Sequence, residues 1–212
     1  MPDVYLPVAR WQRWVENFER GHGATSYSVA AGVLSGRAED GSRFEARLPF
    51  DRDYDTAADP AAFVAPLALP EDWGILLVRK GGFAVARVAG ERIVASKVGQ
   101  RHVQGRTKAG GQSQQRFARR RDNQARQAYE AAADHAARIL AGHERRLWPL
   151  VTGGDRAAVE EVLADRRLSG FQVATRWLAV PDPRRGVLEQ AVRDATAISV
   201  SVVNASAAPP MK

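Results

Sequence analysis

Residues 108–126 read K-A-G-G-Q-S-Q-Q-R-F-A-R-R-R-D-N-Q-A-R, which places two glycines and a glutamine directly before the longest helical pattern in the chain. Gly110 and Gly111 lack a Cβ atom, so the backbone there can adopt angles closed to other residues and can approach another molecule closely. The amide of Gln112 is uncharged and both donates and accepts hydrogen bonds. Such a stretch is suited to enter a narrow, charged cavity and to contact a reacting group there.

Positive charge is concentrated around this stretch. Between Lys97 and Arg126 the sequence carries nine basic residues and one acid, a net charge of +8, whereas the whole chain carries +7. The rest of the chain therefore sums to −1. A local basic segment is expected of a surface that binds phosphates, although a charge run can also be a solvated helix face.

The residues from Gly110 to Arg121 fit the pattern G-G-Q-S-x-x-R-F-A-R-x-R, with Arg116, Phe117 and Arg119 among the matching positions. This pattern resembles the signature of the catalytic middle domain of eukaryotic and archaeal peptide-chain release factors. Within that group the chain is most similar to the Vms-like release factors, which rescue stalled ribosomes. The resemblance is sharpest over about thirty residues around the pattern.

The resemblance implies a ribosome-dependent peptidyl-tRNA hydrolase that needs no cofactor and no metal. In such a protein Gln112 would position water and stabilise the leaving group, while Gly110 and Gly111 would provide the backbone geometry. One well-placed hydrogen-bond donor is worth about 3 to 4 kcal/mol in comparable acyl-transfer chemistry. The implied partners are peptidyl-tRNA and the rRNA of the large ribosomal subunit at the peptidyl-transferase centre.

Basic and polar residues on both sides of the glutamine are predicted to contact ribosomal RNA. They are Arg101, His102, Arg106, Lys108, Ser113, Arg116, Arg119 and Arg120. A lone loop histidine without a carboxylate partner is rarely an acid or base in catalysis, so His102 is grouped with the RNA-binding residues. Ser113 is also predicted to be the N-cap of the helix that follows.

Recognition of a stop codon is not expected to be part of the function. Stop-codon release factors of the similar type carry a separate N-terminal codon-reading domain and a C-terminal domain that docks a GTPase. Here about 25 residues precede the first predicted strand, so we expect codon-independent release on stalled ribosomes or split large subunits. The competing hypothesis is a non-enzymatic RNA-binding or ribosome-assembly protein, in which the loop and helix only dock on RNA.

Composition limits the function classes further. The 212 residues include no cysteine, which excludes disulfides and thiolate metal sites. No apolar run has the length of a signal-peptide core or of a membrane span, so we expect a cytoplasmic protein without membrane contact. We also expect it to be a monomer. Four aspartates between residues 51 and 59 do not complete a calcium loop, because Thr56 and Ala62 stand where glycine and glutamate are required.

The apolar periodicity predicts an α/β fold, with a mixed β-sheet, helices on its faces and one long helix after a protruding G-G-Q loop. A helix is predicted over residues 7–20, a two-stranded hairpin from 26 to 50, a strand meander from 73 to 96, and alternating strands and helices from 147 to 203. The long helix would measure about 40 Å at about 1.5 Å per residue. We expect a single domain over residues 1–204 and a loose tail over 205–212.

Overall fold

The computed structural model of the protein describes residues 3–65, 67–100, 112–140 and 148–205, with the backbone alone for residues 100 and 112–125. The strands are β1 (Val4–Leu6), β2 (Thr25–Ala30), β3 (Val33–Ala38), β4 (Arg43–Arg47), β5 (Trp73–Arg79), β6 (Gly82–Ala89), β7 (Arg92–Gln100), β8 (Pro149–Gly154), β9 (Gln172–Leu178) and β10 (Ile198–Val203). The helices are α1 (Trp11–His22), α2 (Pro60–Val64), α3 (Gln112–Ile139), α4 (Arg156–Leu163) and α5 (Arg185–Thr196). The predicted α/β class is confirmed, although the described strands form two five-stranded sheets instead of one.

Contacts within the chain divide it into two compact units. Residues 1–68 and 193–212 form the first unit, and residues 69–192 form the second. The boundary falls inside α5, so this helix contributes residues to both units. The single domain expected over residues 1–204 stays a prediction, because compact units of this kind can belong to one folding domain. Of the predicted tail, residues 206–212 lie outside the described residues.

The first unit is an antiparallel sheet covered on one face by α1. Its strands lie in the order β1, β10, β4, β3, β2. Trp11, Val15 and Phe18 recur at the spacing of one helix face, are buried, and pack in one core with Phe44 of β4. Full burial of a large apolar side chain contributes about 1.5 to 3 kcal/mol. The indole N–H of Trp11 also donates to the carbonyl oxygen of Pro60 at 2.7 Å, which ties α2 to the same core.

The helix predicted over residues 7–20 is confirmed, and its end has a clear physical cause. A short 3-10 helix at Val8–Arg10 leads into α1, which ends at His22. Gly23 follows with φ +94°, a conformation that favours glycine. Its N–H donates to the carbonyl oxygen of Glu19 at 2.8 Å, so the last turn of the helix is satisfied as the chain leaves it.

The two-stranded hairpin predicted between residues 26 and 50 is wrong, because the structure has three strands there. The missed turn lies at Ala31 and Gly32, whose φ angles are +50° and +75°. Apolar alternation through Val29, Ala31 and Val33 continues across the turn, so periodicity alone indicated one strand. A positive φ is uncommon for alanine, so Ala31 did not indicate a turn, and Gly32 was the one residue here that did.

The second unit is a mixed sheet with the strand order β7, β6, β5, β8, β9. The pairs β5–β6 and β6–β7 are antiparallel, whereas β5–β8 and β8–β9 are parallel. The apolar run Ile75 to Val78 lies in the central strand β5 and is buried throughout, as predicted for a strand covered on both faces. The parallel neighbours β5 and β8 require a crossover connection, and α3 lies in the part of the chain between them.

The helix after the G-G-Q stretch is as long as the sequence predicted. It contains 28 residues, which corresponds to about 42 Å at about 1.5 Å per residue. It begins at Gln112, so Ser113 is its second residue and the prediction of Ser113 as N-cap is wrong. An N-cap residue has non-helical backbone angles, whereas Ser113 already lies inside the helix.

Candidate functional site

The predicted catalytic glutamine lies at the N-terminal end of α3, where it is the first helical residue. Four predicted RNA-binding residues follow it in the same helix: Ser113, Arg116, Arg119 and Arg120. The remaining predicted site residues lie outside the described residues: Gly110, Gly111, Arg101, His102, Arg106 and Lys108. The protruding loop and the roles of these side chains stay predictions.

Helical geometry places the backbone of Gln112 on the same side of α3 as three arginines. Arg116, Arg119 and Arg120 follow Gln112 by four, seven and eight residues, and these spacings fall on one face of a helix. At about 100° per residue, the buried residues farther along α3 are centred about 130° away around the helix axis. The four backbone positions therefore lie on a side turned largely away from the side that packs against the sheet.

The C-terminal part of α3 is buried against the second sheet. Ala132, Ala133 and Ala136 of α3, with Leu140 directly after it, are buried and share a core with side chains of β5, β6, β8 and α4. Ala132, Ala136 and Leu140 recur at the spacing of three to four residues that marks one face of a helix. Gln112 precedes Ala132 by 20 residues, or about 30 Å along the helix axis. The helix is thus anchored well away from the residue predicted to act in catalysis.

A ring stack holds this anchored part of α3 to the start of β6. The rings of Phe83 and His135 have centroids 5.6 Å apart and an interplanar angle of 27°, within the usual range for ring pairs. Gly99 of β7 is the register partner of Phe83, and a Cβ atom at Gly99 would collide with the Phe83 ring. Gly99 therefore leaves room for the stack, one residue before β7 ends.

The polar edge of His135 faces positive charge. Its Nδ1 lies 3.1 Å from a terminal nitrogen of Arg138. A guanidinium group only donates hydrogen bonds, so Nδ1 accepts and the ring is neutral. Burial and the charges of Arg138 and Lys97 lower the pKa of His135, while Asp134 acts in the opposite direction. The neutral ring is the form compatible with this hydrogen bond.

Acidification is expected to destabilise the chain through His135. Its pKa is lower in the folded chain than in the unfolded chain, so the unfolded chain binds the proton first and stability falls as the pH drops below about 6.5. The variant His135→Phe keeps a ring for stacking and removes the titration. Between about pH 7.5 and about pH 5.5, the Tm of the wild type should fall more than that of the variant. Equal losses of Tm would contradict this role.

An ionic link also joins α3 to the short 3-10 helix at Arg166–Leu168. Arg167 donates to Asp134 of α3 at 2.6 Å and to Asp165 at 2.7 Å. The hydrogen bonds from Arg167 lower the pKa of Asp165 to about 2, and Asp165 and Asp134 raise the pKa of Arg167. The pairs are solvent-exposed and add little stability each. They join α3 to the segment that follows α4 within the second unit.

The turn from β8 into α4 is not suited to binding an anion. Asp155 is the N-cap of α4, and its Oδ1 accepts hydrogen bonds from the backbone N–H groups of Ala157 and Ala158 at 3.1 and 3.5 Å. The carboxylate already satisfies this helix N-terminus and would repel an anion. The predicted phosphate-binding residues therefore include those of α3 but none at the start of α4.

Sequence reasoning missed the residues that anchor α3. They are Phe83, Gly99, Asp134, His135 and Arg167, and none belongs to the G-G-Q pattern. The available signal was the half-buried His135 among the buried alanines, with the exposed Asp134 beside it, because a polar ring in an apolar stripe requires specific partners. The sequence does not indicate that those partners are Phe83, Arg138 and Arg167.

Metal-binding and membrane-spanning features are absent from the described part of the chain. Within residues 3–65, 67–100, 112–140 and 148–205, no group of three or more His, Asp or Glu side chains could hold a metal ion. No helix in these same ranges is both long enough and apolar enough to cross a membrane.

Similarity to solved structures is low. The chain is similar to the structure described as "Vms1 mitochondrial localization core", with 10% sequence identity and a TM-score of 0.39 over 92% of this chain and 84% of that chain. It is also similar to the archaeal translation termination factor aRF1, with 12% identity and a TM-score of 0.35 over 91% of this chain and 63% of that chain. Neither similarity is high enough to support a conclusion about this chain. No curated protein sequence matches it.

A family match is more extensive. The sequence model of the Actinobacteria/chloroflexi VLRF1 release factor matches residues 71–201, which are 131 of the 212 residues. The matched range includes the G-G-Q stretch, all of α3 and the residues that anchor it. The match confirms the resemblance to Vms-like release factors that this stretch indicated. The chain belongs to the Actinobacteria/chloroflexi VLRF1 release factor family, and its role in translation is of the release-factor type.

Proposed function

We propose that the chain is a codon-independent release factor that hydrolyses the ester of peptidyl-tRNA on stalled ribosomes or split large subunits. The observation that carries this proposal is the G-G-Q-S-x-x-R-F-A-R-x-R pattern across the start of a 28-residue helix, in a member of a release factor family. Family membership implies interaction with the ribosome and with peptidyl-tRNA. We further propose that the protein acts as a cytoplasmic monomer without a cofactor or a resident metal.

In this proposal Gln112 organises a water molecule at the reacting ester. The water attacks the carbonyl carbon, and the terminal ribose oxygen of the tRNA leaves. Gly110 and Gly111 allow the backbone to come close, while the Gln112 amide and a backbone N–H orient the water and stabilise the developing negative charge. One such donor contributes about 3 to 4 kcal/mol in acyl transfer. A general base from the protein is not required, because the peptidyl-transferase centre supplies much of the environment.

The long helix supports the delivery of Gln112 to a site inside RNA. Its anchored part lies about 30 Å along the axis from Gln112 at about 1.5 Å per residue. The backbone positions of Arg116, Arg119 and Arg120 share a side with Gln112, so a surface bound by the glutamine would also meet these three positive charges. The same proposed interface includes the remaining predicted RNA-binding residues: Arg101, His102, Arg106, Lys108 and Ser113.

Replacing both Arg116 and Arg119 with glutamine is expected to weaken binding to large ribosomal subunits. Each phosphate contact contributes about 0.7 to 0.9 to the slope of log affinity against log salt, so the slope should decrease by about 1.4 to 1.8. Binding measured over a series of KCl concentrations gives this slope. The double variant Arg10→Gln and Arg13→Gln removes the same charge from exposed positions of the first unit and should keep the wild-type slope. If the Arg116→Gln, Arg119→Gln variant kept the wild-type salt slope, this result would count against an RNA-facing helix.

The enzymatic proposal is tested by single-turnover release of peptide from stalled peptidyl-tRNA on isolated large subunits. Release by the wild-type protein, faster than spontaneous hydrolysis, supports the proposal. Binding to the large subunit without release would instead favour the non-enzymatic alternative, an RNA-binding or ribosome-assembly protein. Running the same assay on intact stalled ribosomes shows which of the two particles is the substrate.

A further inference from the structure

The sheet of the first unit has an exposed, polar face. Along β2, β3 and β4 the residues alternate between the side that packs in the core with α1 and an outward side. The exposed residues on the outward side are Ser26, Ser28, Ala30, Arg37, Arg43, Glu45 and Arg47. The strand register aligns Ser26, Arg37, Arg43 and Val203 in one row across β2, β3, β4 and β10.

Two arginines stand directly opposite one another in this row. Arg37 of β3 is the register partner of Arg43 of β4, so their Cβ atoms are about 4.5 to 5.5 Å apart and their like charges destabilise the pair of strands. Glu45, the acid on this side of β4, is bonded to Arg47 at 3.1 Å. Among the described residues, neither Arg37 nor Arg43 forms an ion pair, so no carboxylate in that part of the chain contacts either guanidinium group.

These two positively charged residues lie in a unit whose described residues carry a net negative charge. The described residues of the first unit include eight arginines and eleven aspartates and glutamates, a net charge of −3. The outward side of β2, β3 and β4 instead carries three arginines and one glutamate. Ser28 and Ser35 add hydroxyl groups on the same side, while the hydroxyl of Ser26 donates to the carbonyl oxygen of Arg37 at 3.2 Å. Positive charge and neutral donors are thus gathered on one face of an otherwise acidic unit.

We propose that this face, named the Arg37–Arg43 face after its central pair, binds the phosphate backbone of ribosomal RNA. Two adjacent guanidinium groups can both donate hydrogen bonds to one phosphate, and the anion removes their mutual repulsion. The outward side of β2, β3 and β4 has no aromatic residue for stacking on bases, so the sugar-phosphate backbone is the part of RNA that it fits. The choice of ribosomal RNA as the source of phosphate rests on the proposed function.

The test compares two double variants of the full chain that remove the same charge from the first unit. Arg37→Gln with Arg43→Gln alters the proposed face, and Arg10→Gln with Arg13→Gln is the control. Each is titrated against protein-free large-subunit rRNA and against large subunits over a series of KCl concentrations. We expect the first variant to lower the salt slope by about 1.4 to 1.8 on both targets and the control to leave it unchanged. The Tm of the Arg37→Gln, Arg43→Gln variant should equal or exceed that of the wild type, because the repulsion between the two guanidinium groups is removed.

Equal salt slopes for the two variants and the wild type would overturn the proposal. So would a loss of binding confined to large subunits and absent on protein-free rRNA, since the partner would then be an acidic ribosomal protein. The single variant Arg43→Glu adds a matched readout: it should raise the Tm by pairing with Arg37 and should lower the salt slope. Peptide release is measured separately, at saturating protein. Failure of the wild type to release peptide would refute the proposed function without altering the salt-slope result.

Discussion

Replacing Gly111 with alanine is expected to abolish peptide release while leaving ribosome binding unchanged. The added methyl group prevents the close approach of the backbone that positions Gln112, but it leaves every basic residue in place. A displacement of about 1 Å near the reacting atoms can lower a rate by about 10²-fold, and we expect a loss of at least that size. Single-turnover release from stalled peptidyl-tRNA on large subunits gives the rate, and co-sedimentation gives the binding.

The control for this experiment makes the same chemical change elsewhere. Gly186 is the second residue of α5, and a Cβ atom there would meet no atom within 4 Å. Gly186→Ala should therefore release peptide at the wild-type rate. Equal activity of Gly111→Ala and the wild type would remove the basis for an enzymatic role of the G-G-Q stretch.

The largest effect on stability is expected from Gly154→Ala. Gly154 ends β8 with φ +104°, a region that strains any residue with a Cβ atom. Its Cβ would collide with the carbonyl oxygen of Val78 in β5. That oxygen also accepts a 2.8 Å hydrogen bond from the N–H of Asp155, so it cannot move away without breaking the entry into α4. Backbone strain and overpacking together should lower the free energy of unfolding by about 3 kcal/mol or more.

Thermal and denaturant unfolding measure this loss directly. At about 2 to 4 °C per kcal/mol for a chain of this size, the Tm of Gly154→Ala should fall by about 6 to 12 °C. Gly186→Ala again provides the matched control, because alanine in an unobstructed helical position is expected to stabilise by about 0.4 to 1 kcal/mol. A Tm of Gly154→Ala within about 2 °C of the wild type would show that the crowding at Val78 is relieved at little cost.

The parts of the fold that the sequence predicted well are those with a strong local period. Trp11, Val15 and Phe18 mark α1 because a helix repeats its buried face every three to four residues. The run Ile75 to Val78 marks β5 because a central strand is apolar on both sides. The turn at Ala31 and Gly32 was missed for the opposite reason, since apolar alternation continued through it.

The anchor of α3 could not be predicted because it depends on strand register. A turn at Gly90 between β6 and β7 would, with regular pairing, place Phe83 opposite Val98. The register shift between Arg87 and Val88 moves the partner of Phe83 by one residue, to Gly99. Periodicity does not reveal a shift of this kind. The G-G-Q stretch, in contrast, needs no register, since its residues are adjacent in the chain.

Because α3 is anchored on the sheet about 30 Å from Gln112, a small tilt of the helix at the sheet displaces Gln112. A tilt of about 2° moves a point about 30 Å away by about 1 Å, a displacement large enough to change a rate by about 10²-fold. At this end of the helix, Asp134 contacts Arg167 and His135 stacks on Phe83. Under the proposed function, we therefore expect the catalytic rate to respond also to residues that touch neither the substrate nor the RNA.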